Sequence, residues 1–598
     1  MKTAIINNII RFFSLFWLTG PVFDKELRVS SRKRRNFVLR FTYISLMLMI
    51  LLFFWVNLVD HRGTDIFQIS RMAQAGKYII TCIVAFQFIA AQIIAIVIMS
   101  NSISDEIYNK TLGMLMTTPI TGLQIVMGKL LSKLLQLLLL IAISMPLLSI
   151  TRLLGGVPWK YVTSSLCITF TTVLFVSSLS LFYSIFFRRT YRVIIVTILT
   201  LFGCFLLIPF IVGTIIGLTK IYEHIDERVL IFIIYQPSPY LTFLLNTMTM
   251  LEPQNTVGFF YSSVYINSVF MTILSFFLLL ISIIKVRKVA LRQATGQLIS
   301  SRQRKSLEPE SEILTNKKKS FCFSVTGPPV LWKELILPLR KNIRVSRIIG
   351  LILMMVILFY TYWYNHKQET LDIPATHYIY ITIFLLLSVF FTLVNSPTNI
   401  TSEKESRSWP LLLSSTLSDN QILFGKFTGV FTRCLPVWGL LLGHLLYLSI
   451  IGMIHPAGLI MILITITWII LFLCSTGIYF SSCYKHTTTA VIINFVMAVC
   501  IWGVIALFLG IVTGITESPY LLEGYMSYSP FALIIAIMNG TIGDNISRAS
   551  TTLKFDWIDK DLNFSEMLFI VLKSFVVYMT FALLFLWRAK KRIRRKIF

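Results

Sequence analysis

Residues 122–130, GLQIVMGKL, end in Gly-Lys and invite comparison with a phosphate cradle. That cradle needs two glycines four residues apart, then Lys and a Ser or Thr whose hydroxyl holds magnesium. Here five residues separate Gly122 from Gly128, Leu130 stands where the hydroxyl belongs, and no strand precedes. The segment is not a nucleotide site. Two other groups have spacing with an ionic meaning. Glu106 stands four residues before Lys110, and Glu403 four before Arg407. On a helix that order contributes a few tenths of a kcal/mol. The eight cysteines form no CxxC and lie mostly in apolar runs, where they act as small hydrophobes. No catalytic, cofactor-binding or metal-ligating residue is assigned.

Composition sets what kind of element must hold these groups. The 598 residues are 56% hydrophobic and 13% charged, with a mean hydropathy of +0.78. Soluble globular proteins carry about a quarter charged residues. Half that value, with 47 Phe spread along the chain, places most side chains against something other than water. Runs of roughly 20 apolar residues recur, the length a helix needs to cross a bilayer. The expected fold class is an all-α polytopic membrane protein with twelve transmembrane helices. They are placed near 37–58, 78–100, 130–153, 161–187, 193–219 and 261–285, then 347–365, 378–396, 428–451, 459–482, 490–513 and 566–587.

The net charge of +28 collects at Arg28–Arg35, Arg188–Arg192, Lys285–Arg292, Lys317–Lys319, Arg340–Arg347 and Arg588–Lys596. These clusters abut apolar runs at alternate connections, as the positive-inside rule requires. The charge therefore reads as topology with both termini cytoplasmic, not as nucleic-acid binding. The first eighteen residues read as an interfacial amphipathic helix, with Phe12, Phe13, Phe16 and Trp17 toward acyl chains. Residues 220–260 and 514–565 each carry a Tyr, a Ser-Pro and a short apolar helix, the pattern of a re-entrant segment. Residues 286–346 form the one substantial cytoplasmic linker, too short for a nucleotide-binding domain.

The chain repeats itself. TGPVFDKEL at 19–27 returns as TGPPVLWKEL at 326–335, carrying Lys25 and Glu26 onto Lys333 and Glu334. A shift of 297 places SDEIYNKTLGMLMTTPITGLQIVMGKL (104–130) on SEKESRSWPLLLSSTLSDNQILFGKF (402–427). Glu106 then meets Glu403, Lys110 meets Arg407, Thr111 meets Ser408, Leu115 meets Leu412 and Gly128–Lys129 meets Gly425–Lys426. The reading is two parallel six-span units, 1–285 and 326–598, joined by a linker at 286–325. A pseudo-two-fold axis along the membrane normal and a pathway between the halves are expected.

The most informative connection follows the second span of each half. A short surface helix with Leu112 and Leu115 facing outward suits docking into a soluble partner, and Thr118–Pro119 ends it. The order Glu, Thr-Leu, Leu, Thr-Pro, Gly-Lys resembles permease subunits of type-2 ATP-binding-cassette exporters, as does G-P-V-x-x-K-E-L before a basic stretch. The resemblance covers both halves. It implies that Glu106, Lys110, Thr111, Leu112, Leu115, Thr118 and Pro119, with Glu403, Arg407, Ser408 and Leu412, form two coupling helices touching an ATPase. It also implies that Lys25, Glu26, Lys333 and Glu334 belong to interfacial entry helices. Three departures stand out: Lys110 sits where the family usually has Gly, Pro410 falls inside the second helix, and Thr416 replaces a Pro.

The resemblance further implies a separate ATPase subunit in two copies, binding ATP and Mg on itself, in a plasma (bacterial inner) membrane. Apart from Glu566 at the edge of the last one, no Asp or Glu lies inside an expected span, so proton or sodium coupling lacks its usual residues. His444 is the odd residue of the ninth span and reads as packed against a neighbouring helix. Family analogy puts Gln87, Gln92, Ser388, Thr392 and Asn395 along the substrate path, and a charge-free wall favours a hydrophobic or amphipathic cargo. The rival readings are an ATP-independent carrier or lipid scramblase, and a non-transporting membrane scaffold for a cytoplasmic ATPase. Membrane lipids are expected partners in every case, and nucleic acid in none.

Overall fold

The computed structural model describes residues 16–594, apart from 59–64, 208–235, 252–258, 295–326, 341–358, 368–370, 542–553 and a few single or paired positions. The chain divides into two units, Met1–Ser320 and Phe321–Phe598. Ten helices among the described residues are long and apolar enough to cross a membrane. Two of the twelve expected spans fall short of that count. Residues 193–219 appear as an apolar helix, Thr190–Phe205, with residues 208–219 outside the described residues, and 347–365 lies mostly outside them. Phe12, Phe13 and most of the linker also lie outside.

The first unit begins with α1 (Phe16–Ser31), kinked at Gly20, whose φ of 58° is left-handed. There follow α2 (Arg34–Leu58), α3 (Asp65–Ser100), the short α4 (Ser104–Tyr108) and α5 (Leu112–Thr117), then α6 (Gly122–Leu153) and α7 (Trp159–Phe186). The unit ends with α8 (Thr190–Phe202), α9 (Pro239–Leu251) and α10 (Phe259–Ala294). The second unit runs α11 (Pro329–Arg340), α12 (Pro374–Asn395), α13 (Thr398–Glu405), α14 (Trp409–Leu413), α15 (Asp419–Ile451), α16 (Pro456–Cys483) and α17 (Thr487–Val499). After these come α18 (Ile505–Thr516), α19 (Tyr520–Met526), α20 (Pro530–Thr541) and α21 (Phe564–Ile593).

The register of 297 survives in three dimensions. The starts of α6, α7 and α8 fall on those of α15, α16 and α17, and the end of α7 falls on that of α16. Even the local irregularity repeats: wide π-helical turns occupy Gly203–Leu207 and Cys500–Val504. Such turns cost backbone regularity and recur at functional positions.

Each unit is built around its fourth span. In α7 and α16, 72% and 61% of the apolar window is buried, against 17% in α2. A helix buried all round needs no polar stripe, and its hydroxyls turn back onto the preceding turn, as Thr169, Thr172 and Ser178 do in α7. Close crossings use small residues. A Cβ on Gly477 of α16 would lie 1.9 Å from Ser396 Oγ, so only glycine lets these backbones approach.

The Ser-Pro of 529–530 breaks a helix. α19 and α20 meet at 87°, a broken span or re-entrant pair by length and composition. The corresponding α9 begins at Pro239, and its approach lies outside the described residues. One element departs from an all-helical expectation: a hairpin pairing Lys554–Trp557 with Lys560–Asn563, whose Phe555 and Trp557 are buried.

Candidate functional site

At one end of each unit an entry helix, a short coupling element and the first turns of the third span converge on one buried lysine. In the first unit this is Lys129 of α6. Its Nζ lies 2.6 Å from Glu106 Oε1, 3.7 Å from Glu26 Oε1, and donates to Ser102 O at 2.6 Å. In the second it is Lys426 of α15. Its Nζ donates to Glu334 Oε1 at 2.6 Å, to Glu403 Oε1 at 2.7 Å, and reaches Asn399 Oδ1 at 3.4 Å. Asn399 returns the contact by donating to Lys426 O at 2.8 Å. Ser102 and Asn399 are equivalent in the 297 register.

Gly-Lys is therefore a packing device. Lys needs a buried counter-charge, and in the second unit Gly425 lets the entry helix come close enough to supply it. A Cβ on Gly425 would sit 2.7 Å from Val330 of α11, and one on Gly429 2.7 Å from Glu334 Cβ. Desolvating such a cluster is costly, and removing one partner strands a buried charge, at about 3–5 kcal/mol. The nonapeptide repeat supplies Glu26 and Glu334, the coupling repeat supplies Glu106 and Glu403, and the Gly-Lys repeat supplies the cation.

Other retained polar residues explain themselves. Thr111 places its N–H at 3.0 Å and its hydroxyl at 3.4 Å from Glu106 O; Ser408 does the same to Glu403 O, at 3.0 and 3.4 Å. Each closes the turn between the two short helices of its coupling element. Thr121 with Gln124, and Ser418 with Gln421, exchange backbone and side-chain bonds across the first turn of α6 and α15. These are capping boxes that start the third span.

The structure corrects several sequence expectations. Glu403 pairs with Lys426 and Lys333, not with Arg407, and Glu106 pairs with Lys129; Lys110 lies outside the described residues. Arg407 instead takes a left-handed φ of 55°, the conformation glycine adopts without strain. Pro410 does not interrupt a helix. The element breaks at Arg407 and restarts as α14, where Pro410 occupies the tolerated first turn.

Leu112 does not face outward. It is fully buried, as is its equivalent Trp409. The projecting residues are Met114 and Leu411, also equivalent, and 72% and 74% exposed. The side chain of Leu115 and all of Pro119 lie outside the described residues, Thr118 is exposed, and Leu412 is half-buried. Sequence reasoning missed Lys129, Lys426, Asn399, Arg433, Met114 and Leu411. The repeat already flagged both lysines. Nothing in it distinguished Met114 from Leu112, because the direction of a six-residue helix is set by what it packs on.

Of the residues placed on the substrate path, Gln92 Oε1 accepts from Tyr240 at 2.6 Å, and Ser388 donates to Val437 O at 3.3 Å. Thr392 accepts from Trp438 Nε1 at 2.9 Å, and Asn395 donates to Phe391 O at 2.9 Å. Gln87 is buried with both amide atoms lacking a partner among the described residues. His444 binds Tyr362 and packs among the rings of Tyr380, Phe384 and His377.

Residues 21–292 match a family model described as ABC-2 family transporter protein, and residues 354–589 match a second model of the same description. No curated protein and no solved structure matches the chain.

Proposed function

The chain belongs to the ABC-2 transporter family, and from that premise we propose that it is the membrane-spanning subunit of an ATP-driven exporter, with both permease halves fused. A separate ATPase subunit, one copy beneath each half, binds ATP and Mg and supplies the force. The cargo is hydrophobic or amphipathic, the membrane is the bacterial inner membrane, and both termini are cytoplasmic, in keeping with the alternation of basic clusters. The chain itself is not catalytic.

The observation that carries this reading is the matched pair of exposed apolar residues on clamped bases. Met114 and Leu411 project from short helices whose roots are tied by Lys129 and Lys426 to the third span of their units. An exposed apolar knob on a rigid mount is a docking feature, and force applied to it passes into the entry helix and the span together. Glu106 and Glu403 act here by fixing the mount. Charge reversal at Glu106 therefore disturbs the clamp as well as any coupling.

The test is co-purification. The tagged chain is expected to bring a P-loop ATPase at two per chain. Met114→Asp and Leu411→Asp are each expected to lower recovery at least tenfold, since an interfacial anchor of this kind contributes about 1–2 kcal/mol or more. A chain that purifies without any ATPase, or variants that retain it fully, overturns the reading.

A further inference from the structure

The two coupling elements are attached differently. In the second unit, α13 is fastened at both ends to the fourth and fifth spans. Its N-terminal amides, Ile400 and Thr401, donate to Ser481 Oγ of α16 at 3.0 and 2.9 Å. Near its C-terminus, Lys404 Nζ donates to Ser481 O at 2.8 Å, Ser482 O at 2.6 Å and Tyr484 O at 3.2 Å. These are the orphan carbonyls of the last turn of α16, where the helix dipole favours a cation. The next residue, Glu405, accepts the Thr487 N–H at 2.7 Å, at the first turn of α17, where the dipole favours an anion. Adjacent opposite charges thus cap two successive spans, one at its end and the next at its beginning.

The first unit has a different fastening. In the 297 register, Ile107 and Tyr108 replace Lys404 and Glu405, so neither charge is present. Ser184, equivalent to Ser481, turns its hydroxyl onto Leu181 O at 2.7 Å. The first coupling element is held by the Lys129 cluster and by apolar burial of Ile107 and Leu112 in a cluster with Val126 of α6, Leu181 and Ile185 of α7, and Val286 and Ala290 of α10.

We propose that Lys404 and Glu405 are positioning residues that lock the second coupling helix to the turn between α16 and α17, so that the two coupling elements transmit unequally. The second drives its fourth and fifth spans directly, including the π turn at Cys500–Val504. The first acts on its third, fourth and last spans through apolar contact with α6, α7 and α10, and lacks the charge pair that ties the second to the start of its fifth span. The proposal rests on the reading of these elements as ATPase-coupling helices.

Hydrogen exchange on the full-length chain tests it in two arms. Without ATPase, Glu405→Gln and Lys404→Met are each expected to speed exchange across 398–405 and 487–491 together, about five- to tenfold, the scale of a lost helix cap. Lys404→Arg keeps the cation and should retain protection. Ser481→Ala should free the amides of Ile400 and Thr401, whereas Ser184→Ala should leave 104–108 unchanged. Unchanged exchange in both charge variants, or loosening confined to 398–405, overturns the lock. In complex with its ATPase, addition of ATP and orthovanadate should alter protection at 398–413 and 487–499 as one unit, and at 104–117 without 190–202. Glu405→Gln should uncouple the second pair. Equal behaviour of the two units overturns the inequality. Failure to recover any ATPase counts against the coupling reading alone, because the first arm still decides the lock.

Discussion

Both units bury a lysine beneath the coupling element, but they surround it differently. Among the described residues, Lys129 is the one cation within ion-pair distance of Glu26 and Glu106. In the second unit Glu334 also meets Arg433, and Glu403 also meets Lys333 at 2.8 Å. The first clamp is a single cation and the second is a small network. A network tolerates the loss of a member, because each carboxylate keeps a counter-charge. The difference teaches that Gly-Lys is the shared structural minimum, while the surrounding charges set how firmly each element is held.

The largest effect should expose that redundancy. Lys129→Met leaves two half-buried carboxylates, Glu26 and Glu106, without their cation and should cost about 3 kcal/mol, the low end for a broken buried pair because both carboxylates keep some water. Lys426→Met leaves Arg433 and Lys333 in place and should cost only about 1–3 kcal/mol. Denaturant titration of the purified chain in micelles measures both, and equal losses would break the comparison.

The crossing of entry helix and third span comes next. Gly429→Ala pushes a methyl into Glu334 Cβ, and overpacking of this kind costs about 1–3 kcal/mol. The equivalent position is already Ser132, buried and bonded to Lys129 O at 3.1 Å. Ser132→Ala should therefore lose no more than about 1 kcal/mol. The same titration ranks the pair, and a Gly429 variant as stable as wild type would remove the steric reason for glycine.

The smallest effect is at the bend. Arg407 holds a left-handed backbone that costs an L-residue roughly 1–2 kcal/mol, against the entropy glycine loses on folding. Arg407→Gly should stabilise by up to about 1 kcal/mol and leave the Glu403 clamp intact. A destabilised variant would mean that the Arg side chain, exposed as it is, holds the bend.

Much of this architecture was legible beforehand. The repeat register of 297 read from the sequence is kept by the structure at the starts of α6, α7 and α8 against α15, α16 and α17, and at the two π turns. It also singled out Glu106, Glu403, Thr111, Ser408 and the Gly-Lys pairs as residues retained twice. Their roles were misread where the partner is distant in sequence. Spacing of four suggested Glu403 with Arg407, but Lys426 is 23 residues away and Glu334 is 92 from Lys426.

The sequence by itself determined the membrane setting, the doubling of the chain and the positions where charge must be kept, because hydropathy, repetition and charge placement are local properties. Only the tertiary structure decided which charges meet, that Leu112 and Trp409 turn inward while Met114 and Leu411 project, and that Lys404 and Glu405 of α13 cap the end of α16 and the start of α17. A short helix has no direction of its own. The buried lysine and the span it belongs to provide one, through contacts that periodicity cannot encode.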